Sequence, residues 1–98
     1  MTIDIKRNAK ETTISVVGRL DTITAPSLEK TIAESIGNIE SLVLDMKGLE
    51  YISSAGLRVL LSAQKRMQKL GSMKVTNVCE LVMEVFEMTG FADILVIE

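Results

Sequence analysis

An α/β fold, built on a mixed and mainly parallel sheet of about five strands packed by about three to four helices, is predicted by two features of the sequence. Short aliphatic runs alternate with longer stretches of helical periodicity, and an extra strand precedes that alternation. The resulting order is β-β-α-β-α-β-α-β, in which every later strand is followed or preceded by a crossover helix, as a parallel sheet requires.

The elements follow in turn. Ile3 and Ile5 alternate with polar residues as in a short edge strand, and the polar turn Asn8-Ala9-Lys10-Glu11 leads into a second strand, Thr12 to Gly18. So short a connection predicts an antiparallel hairpin. Thr24 stands as the cap of a first helix, with Pro26 where a missing N–H is tolerated. Leu28, Ile32 and Ile36 stack on its core face, and Gly37 ends it. Ser41 to Met46 carries the run Leu42-Val43-Leu44, which reads as a strand covered on both faces. Lys47-Gly48-Leu49-Glu50 reads as a loop. A long amphipathic helix then runs from about Ser54 to Leu70, with Leu57, Leu60, Leu61, Met67 and Leu70 at helical spacing and Gly71 as its stop. Met73 to Asn77 is a further strand. Glu80 to Met88 is a third helix, expected to turn Leu81, Val85 and Met88 inward and to end at Gly90. Ile94 to Ile97 is expected as a last strand.

With 98 residues, the chain has room for one domain, residues 1–98, and one core. Only Tyr51, Phe86 and Phe91 are aromatic, so that core is aliphatic. A formal net charge of -2 gives no general attraction to nucleic acid or anionic lipid, and aromatic residues for base stacking are nearly absent. Neither a signal-peptide pattern nor a stretch of about 20 apolar residues occurs, so no membrane span and a cytoplasmic location are expected. Cys79 is alone, which rules out an internal disulfide and a cysteine metal cluster. Histidine is absent, and with it the Ser-His-Asp triad, the Cys-His pair and histidine metal sites. The expectation is a protein without metal or cofactor and without enzymatic activity, monomeric by default.

Attention therefore falls on Tyr51-Ile52-Ser53-Ser54-Ala55-Gly56-Leu57, where an apolar run stops and the long helix starts. The first turn of a helix holds backbone N–H groups without intrahelical partners and a partial positive charge, so an anion there is stabilised. Ser54 in this position is either a helix cap or an acceptor of phosphate. Gly56 costs about 1 kcal/mol relative to alanine within a helix, which suggests that something approaches the backbone there. Asp21 lies at a strand end leading to a helix, where α/β sheets tend to place sites. The long helix presents Arg58, Ser62, Lys65, Arg66 and Lys69 on one face with no acidic residue, either a solvated surface or a docking one. The third helix is opposite in character, with Glu80, Glu84 and Glu87 on one face and more apolar surface than one buried stripe needs.

Taken in order, Gly18-Arg19-Leu20-Asp21, Leu42-Val43-Leu44-Asp45, Tyr51-Ile52-Ser53-Ser54-Ala55-Gly56-Leu57 and Phe86-Glu87-Met88-Thr89-Gly90-Phe91 resemble the anti-sigma-factor antagonists of the bacterial STAS domain family, over essentially the whole length. The resemblance implies a switch protein. Unphosphorylated members bind an ATP-binding serine kinase that is also an anti-sigma factor, which frees the sigma factor; phosphorylation of the serine corresponding to Ser54 ends the binding, and a serine phosphatase restores it. Asp21 corresponds to the aspartate of the neighbouring loop. Two departures stand out: Ser53 where many members have Asp, which adds a secondary acceptor, and Arg19 where many have Glu. Together these readings assign partner binding to Asp21, Ser53, Ser54, Ala55, Gly56, Leu57 and Arg58. The alternative is a STAS scaffold subunit of a stress-sensing or lipid-transport assembly, in which Ser54 is only a cap.

Overall fold

The computed structural model describes residues 1–98. Strands β1 (Thr2–Asn8) and β2 (Glu11–Leu20) form the expected antiparallel hairpin, turned at Ala9, whose φ is 52°. Helix α1 (Ala25–Ser35) returns the chain to β3 (Ser41–Ile52), and α2 (Ser54–Leu70) returns it to β4 (Ser72–Thr76). Both crossovers create parallel neighbours, so the sheet has the order β1-β2-β3-β4 with one antiparallel and two parallel pairings. Helix α3 (Glu80–Thr89) and a single 3-10 turn (Phe91–Asp93) complete the chain.

Alternation along the strands decides which face is buried. Ile14 and Val16 of β2, Leu42, Leu44 and Met46 of β3, and Met73 and Val75 of β4 point to the same face and are sealed by Leu28 and Ile32 of α1, Leu57, Leu60 and Met67 of α2, and Val82 and Phe86 of α3. The opposite face carries Thr13, Ser15, Asp45, Lys74 and Thr76, all half-buried, and remains open to solvent. Leu42-Val43-Leu44 is therefore not covered by helices on both sides. Val43 escapes exposure through its sheet neighbours Thr13 and Lys74, while lying outside the main cluster.

Three further expectations need correction. Lys47-Gly48-Leu49-Glu50 is not a loop but the second half of β3, joined to β2 through two register shifts, between Ser15 and Val17 and between Gly18 and Arg19. The charge and glycine that resemble a turn belong to this irregular pairing: a Cβ on Gly48 would stand 2.7 Å from Val17 Cγ2. In α3, Val82 and Phe86 face the core at 0 % exposure, whereas Leu81 at 52 % and Met88 at 86 % face out. Both stripes are apolar at helical spacing, and burying the larger ring of Phe86 removes more apolar area from water. Ile94 to Ile97 forms no full strand, so the sheet has four strands rather than about five. The 3-10 turn keeps the backbone coiled through Leu95, whose N–H bonds to Phe91 O at 2.9 Å, and only the bridge between Val75 and Ile97 remains.

Candidate functional site

The site forms where β2 and β3 end side by side and each runs into a helix. Leu20 pairs with Ile52, and the next N–H, that of Ser53, donates to Leu20 O at 2.9 Å. This bond ties the start of α2 to the loop that opens α1. One residue pair earlier, Arg19 lies over the ring of Tyr51 with its guanidinium carbon 4.2 Å from the centroid. That contact accounts locally for an arginine at this position, at about 0.5–1 kcal/mol for an exposed cation–π pair.

Asp21 organises the loop between β2 and α1. Its Oδ1 accepts the N–H of Ile23 at 3.0 Å and that of Thr24 at 3.1 Å, while its carbonyl accepts the N–H of Ala25 at 2.8 Å. These bonds, led by that from the Thr24 N–H, hold its carboxyl below the usual carboxylate range, against an opposing contribution from desolvation. Thr24 occupies the predicted cap position, but its side chain caps nothing in α1. Its hydroxyl instead accepts the Asp21 N–H at 2.9 Å and donates to Arg19 O at 2.8 Å. The loop is thereby closed on itself by side chains, an Asx-type turn.

Across from this loop, Ser53 has extended backbone angles and caps α2, but its hydroxyl makes no capping bond; Ser54 is the first helical residue and is exposed. The first intrahelical bond runs from Leu57 N to Ser53 O, which leaves the N–H groups of Ser54, Ala55 and Gly56 without helical partners. No acidic residue lies in this turn to neutralise its partial positive charge. The two adjacent hydroxyls differ sharply in access: Ser53 Oγ is buried without a hydrogen-bond partner, while the Ser54 side chain stands in solvent.

Gly56 meets a need of the core rather than of a ligand. A Cβ there would lie 2.7 Å from Leu20 Cγ and 2.8 Å from Ile52 Cγ1, so glycine lets the first turn of α2 settle onto the ends of β2 and β3. Leu57 is buried in the same seam. Ala55 and Arg58 line an open groove of about 400 Å³ whose other wall is Thr22, Ala25, Pro26 and Glu29. Farther along α2, Ser62, Lys65, Arg66 and Lys69 share one stretch of surface, and the two ion pairs of the protein, Lys10–Glu40 and Lys74–Glu98, lie elsewhere. The structure thus brings Asp21, Ser54, Ala55 and Arg58 to one end of the molecule and places Gly56 and Leu57 beneath them. Sequence reasoning missed the α1 wall of the groove and the outward position of Ile23, because helix periodicity says nothing of a loop; the Asp-Thr-Ile-Thr string, an Asx turn with an aliphatic residue inside it, carries that signal.

Residues 2–98 match the family model of the STAS domain. The chain belongs to the STAS domain family. Among its relatives, this STAS domain is 29% identical over 94 residues to the anti-sigma-B factor antagonist of Bacillus subtilis (strain 168), covering 95% of this chain and 86% of that protein. Its fold superposes on an anti-sigma factor antagonist from Mycobacterium paratuberculosis with a TM-score of 0.89 at 24% identity, covering 98% of this chain and 83% of the other. It also matches the Bacillus cell fate determinant SpoIIAA in its phosphorylated form, with a TM-score of 0.78 at 16% identity over 99% of this chain and 91% of that one. No helix of this STAS domain is long and apolar enough to cross a membrane.

Proposed function

We propose that this STAS domain is an anti-sigma-factor antagonist without catalytic activity, which binds a serine kinase acting as anti-sigma factor and is switched off by phosphorylation of Ser54. The observation that carries the reading is the exposed Ser54 hydroxyl at the unpartnered N–H end of a 17-residue helix, beside a loop locked by Asp21. The Bacillus subtilis relative bears the name of an anti-sigma-B factor antagonist, and a protein of the same fold exists in a phosphorylated form.

Phosphorylation acts on binding and leaves folding intact. A phosphate adds about -1.5 to -2 charges at neutral pH. At the start of α2 that charge meets free N–H groups and the positive end of the helix dipole, a stabilisation of about 0.3–1 kcal/mol, so the fold is retained. Against a partner the same group must be desolvated without compensation, at a cost of several kcal/mol, and each 1.4 kcal/mol is about tenfold in affinity. Dissociation follows, and a phosphatase that removes the phosphate restores docking. Ser54 rather than Ser53 is the acceptor because a kinase must reach the oxygen in line with ATP, and Ser53 Oγ is enclosed.

The test begins with the unphosphorylated chain as bait in cytoplasm of the source organism. An ATP-binding serine kinase is expected to be retained, and with ATP it adds one phosphate that mass spectrometry places on Ser54; Ser54→Ala abolishes the gain. Retention of a membrane transporter or a large sensory particle instead would replace the proposal with the scaffold reading. Phosphate at Ser53 would move the acceptor.

A further inference from the structure

Ile23 is 86 % exposed, equalled among the large apolar side chains only by Met88. An aliphatic side chain in such a position gains nothing for the fold, since it removes almost no area from water. Yet its backbone is held with unusual care for an exposed loop. The Ile23 N–H is bonded to Asp21 Oδ1, the N–H of Thr24 bonds to the same oxygen, and the Thr24 hydroxyl is shared between the Asp21 N–H and Arg19 O. The loop is anchored in turn to α2, because Leu20 O accepts the Ser53 N–H. A projecting apolar group on a backbone already fixed loses little conformational entropy on burial, which is the profile of an anchor residue at a protein interface. Thr22, its neighbour in the loop, and Ala55, the neighbour of Ser54, line the same groove, so the side chain is carried by the loop that borders the acceptor serine.

We infer that Ile23 is a docking anchor that seats in an apolar socket of the partner kinase beside the kinase's phosphate-transfer site. The inference rests on the proposed kinase partnership and adds to it a residue and a chemistry. The partner's surface offers an aliphatic pocket for the loop, next to the site that receives the Ser54 hydroxyl. Asp21 is then a positioning residue: its carboxylate holds the loop that presents the anchor, and it takes no part in phosphate transfer. Ile23 contributes equally to the bound ground state and to the reacting complex, so its loss appears in KM and not in kcat.

The test uses full-length chains and the purified serine kinase retained by the wild-type protein. Ile23→Ser is expected to raise Kd, and the KM for Ser54 phosphorylation, by about ten- to hundredfold, with kcat within twofold of wild type. Ile23→Val keeps most of the apolar area and stays within about fivefold. The thermal midpoint of both variants equals that of wild type, because the side chain is already in water. Kd and KM unchanged in Ile23→Ser, with a kinase that does phosphorylate Ser54, would overturn the inference and leave the proposed function standing. Retention of no ATP-binding serine kinase by the wild-type chain, or a retained kinase that does not phosphorylate it, would remove the partnership itself and the inference with it. A fall in kcat with KM unchanged would also overturn the anchor role.

Discussion

Replacing Gly56 with alanine tests whether the acceptor serine is held in place by direct packing of α2 on the strand ends. The new Cβ would meet Leu20 Cγ at 2.7 Å, Ile52 Cγ1 at 2.8 Å and Leu20 Cδ2 at 3.0 Å. Leu20 and Ile52 are both buried, and two of the three atoms lie partway along their side chains rather than at a free end, so neither can simply swing aside. Overpacking of this kind costs about 1–3 kcal/mol. Alanine returns at most about 1 kcal/mol through its helix propensity. Contacts below 3.0 Å with buried side chains place the overpacking cost in the upper part of its range, about 2–3 kcal/mol, so the net loss of about 1–2 kcal/mol should lower the thermal midpoint of a domain of this size by about 5–15 °C. Circular dichroism melting of Gly56→Ala beside Gly37→Ala measures it; a Cβ on Gly37 meets nothing within 4 Å, so that variant should melt as wild type does. A midpoint for Gly56→Ala equal to or above wild type would refute the reasoning. It would show slack beneath α2 and return Gly56 to the role of admitting a ligand to the backbone.

Other perturbations address the remaining parts of the account. Phe86→Ala should destabilise by about 3–5 kcal/mol and Leu81→Ala by no more than about 0.5 kcal/mol in urea unfolding; equal effects would contradict the orientation of α3. Carbon-13 NMR titration should place the Asp21 midpoint below its ordinary 3.8, because backbone N–H groups stabilise the ionised form. A carboxyl whose pKa is lower folded than unfolded contributes stability above the unfolded value, which is lost as pH falls through the folded one. The loop therefore stays ordered at neutral pH and loosens only in acid below 3.8, and a midpoint at or above that value would contradict the bonding described. Arg58→Glu should weaken kinase binding by at least about tenfold if the basic face of α2 docks; an unchanged Kd would assign that face to solvent.

How far the sequence reveals such a protein depends on whether one pattern competes with another. The bounds of α2 were legible because Ser54 to Leu70 carries a single apolar stripe opposite a basic one, with Gly71 at its end. The inward face of α3 was legible only in part, because Leu81, Val85 and Met88 repeat as well as Val82 and Phe86 do: Val85 packs half-buried against the core as expected, but packing on β3, far away in the chain, gives the centre of that face to Val82 and Phe86. In β3, Lys47 and Gly48 carry the composition of a turn and occupy an irregular strand pairing, a distinction made by Val17 from another strand. At the site, the placing of serine at a helix start followed from local signals. That Ser53 rather than Ser54 occupies the cap, and that its hydroxyl is enclosed, depends on the bond from Ser53 N to Leu20 O, a contact between residues far apart in the chain. The aspartate at 21 was legible as a site residue by its place at a strand end; its hold on Ile23 and Thr24 depends on the loop turning both N–H groups onto one carboxylate oxygen.

The most direct measurement is the affinity of the purified kinase for two forms of the chain, unmodified and carrying phosphoserine at position 54, by calorimetry, with the melting temperature of each taken alongside. The account predicts a Kd raised by about a hundredfold or more and a melting temperature unchanged or raised by up to about 8 °C, since several kcal/mol of uncompensated desolvation falls on the interface while the fold gains at most about 1 kcal/mol from the helix dipole. Equal affinities, or a phosphorylated chain that has lost its cooperative melt, would contradict it.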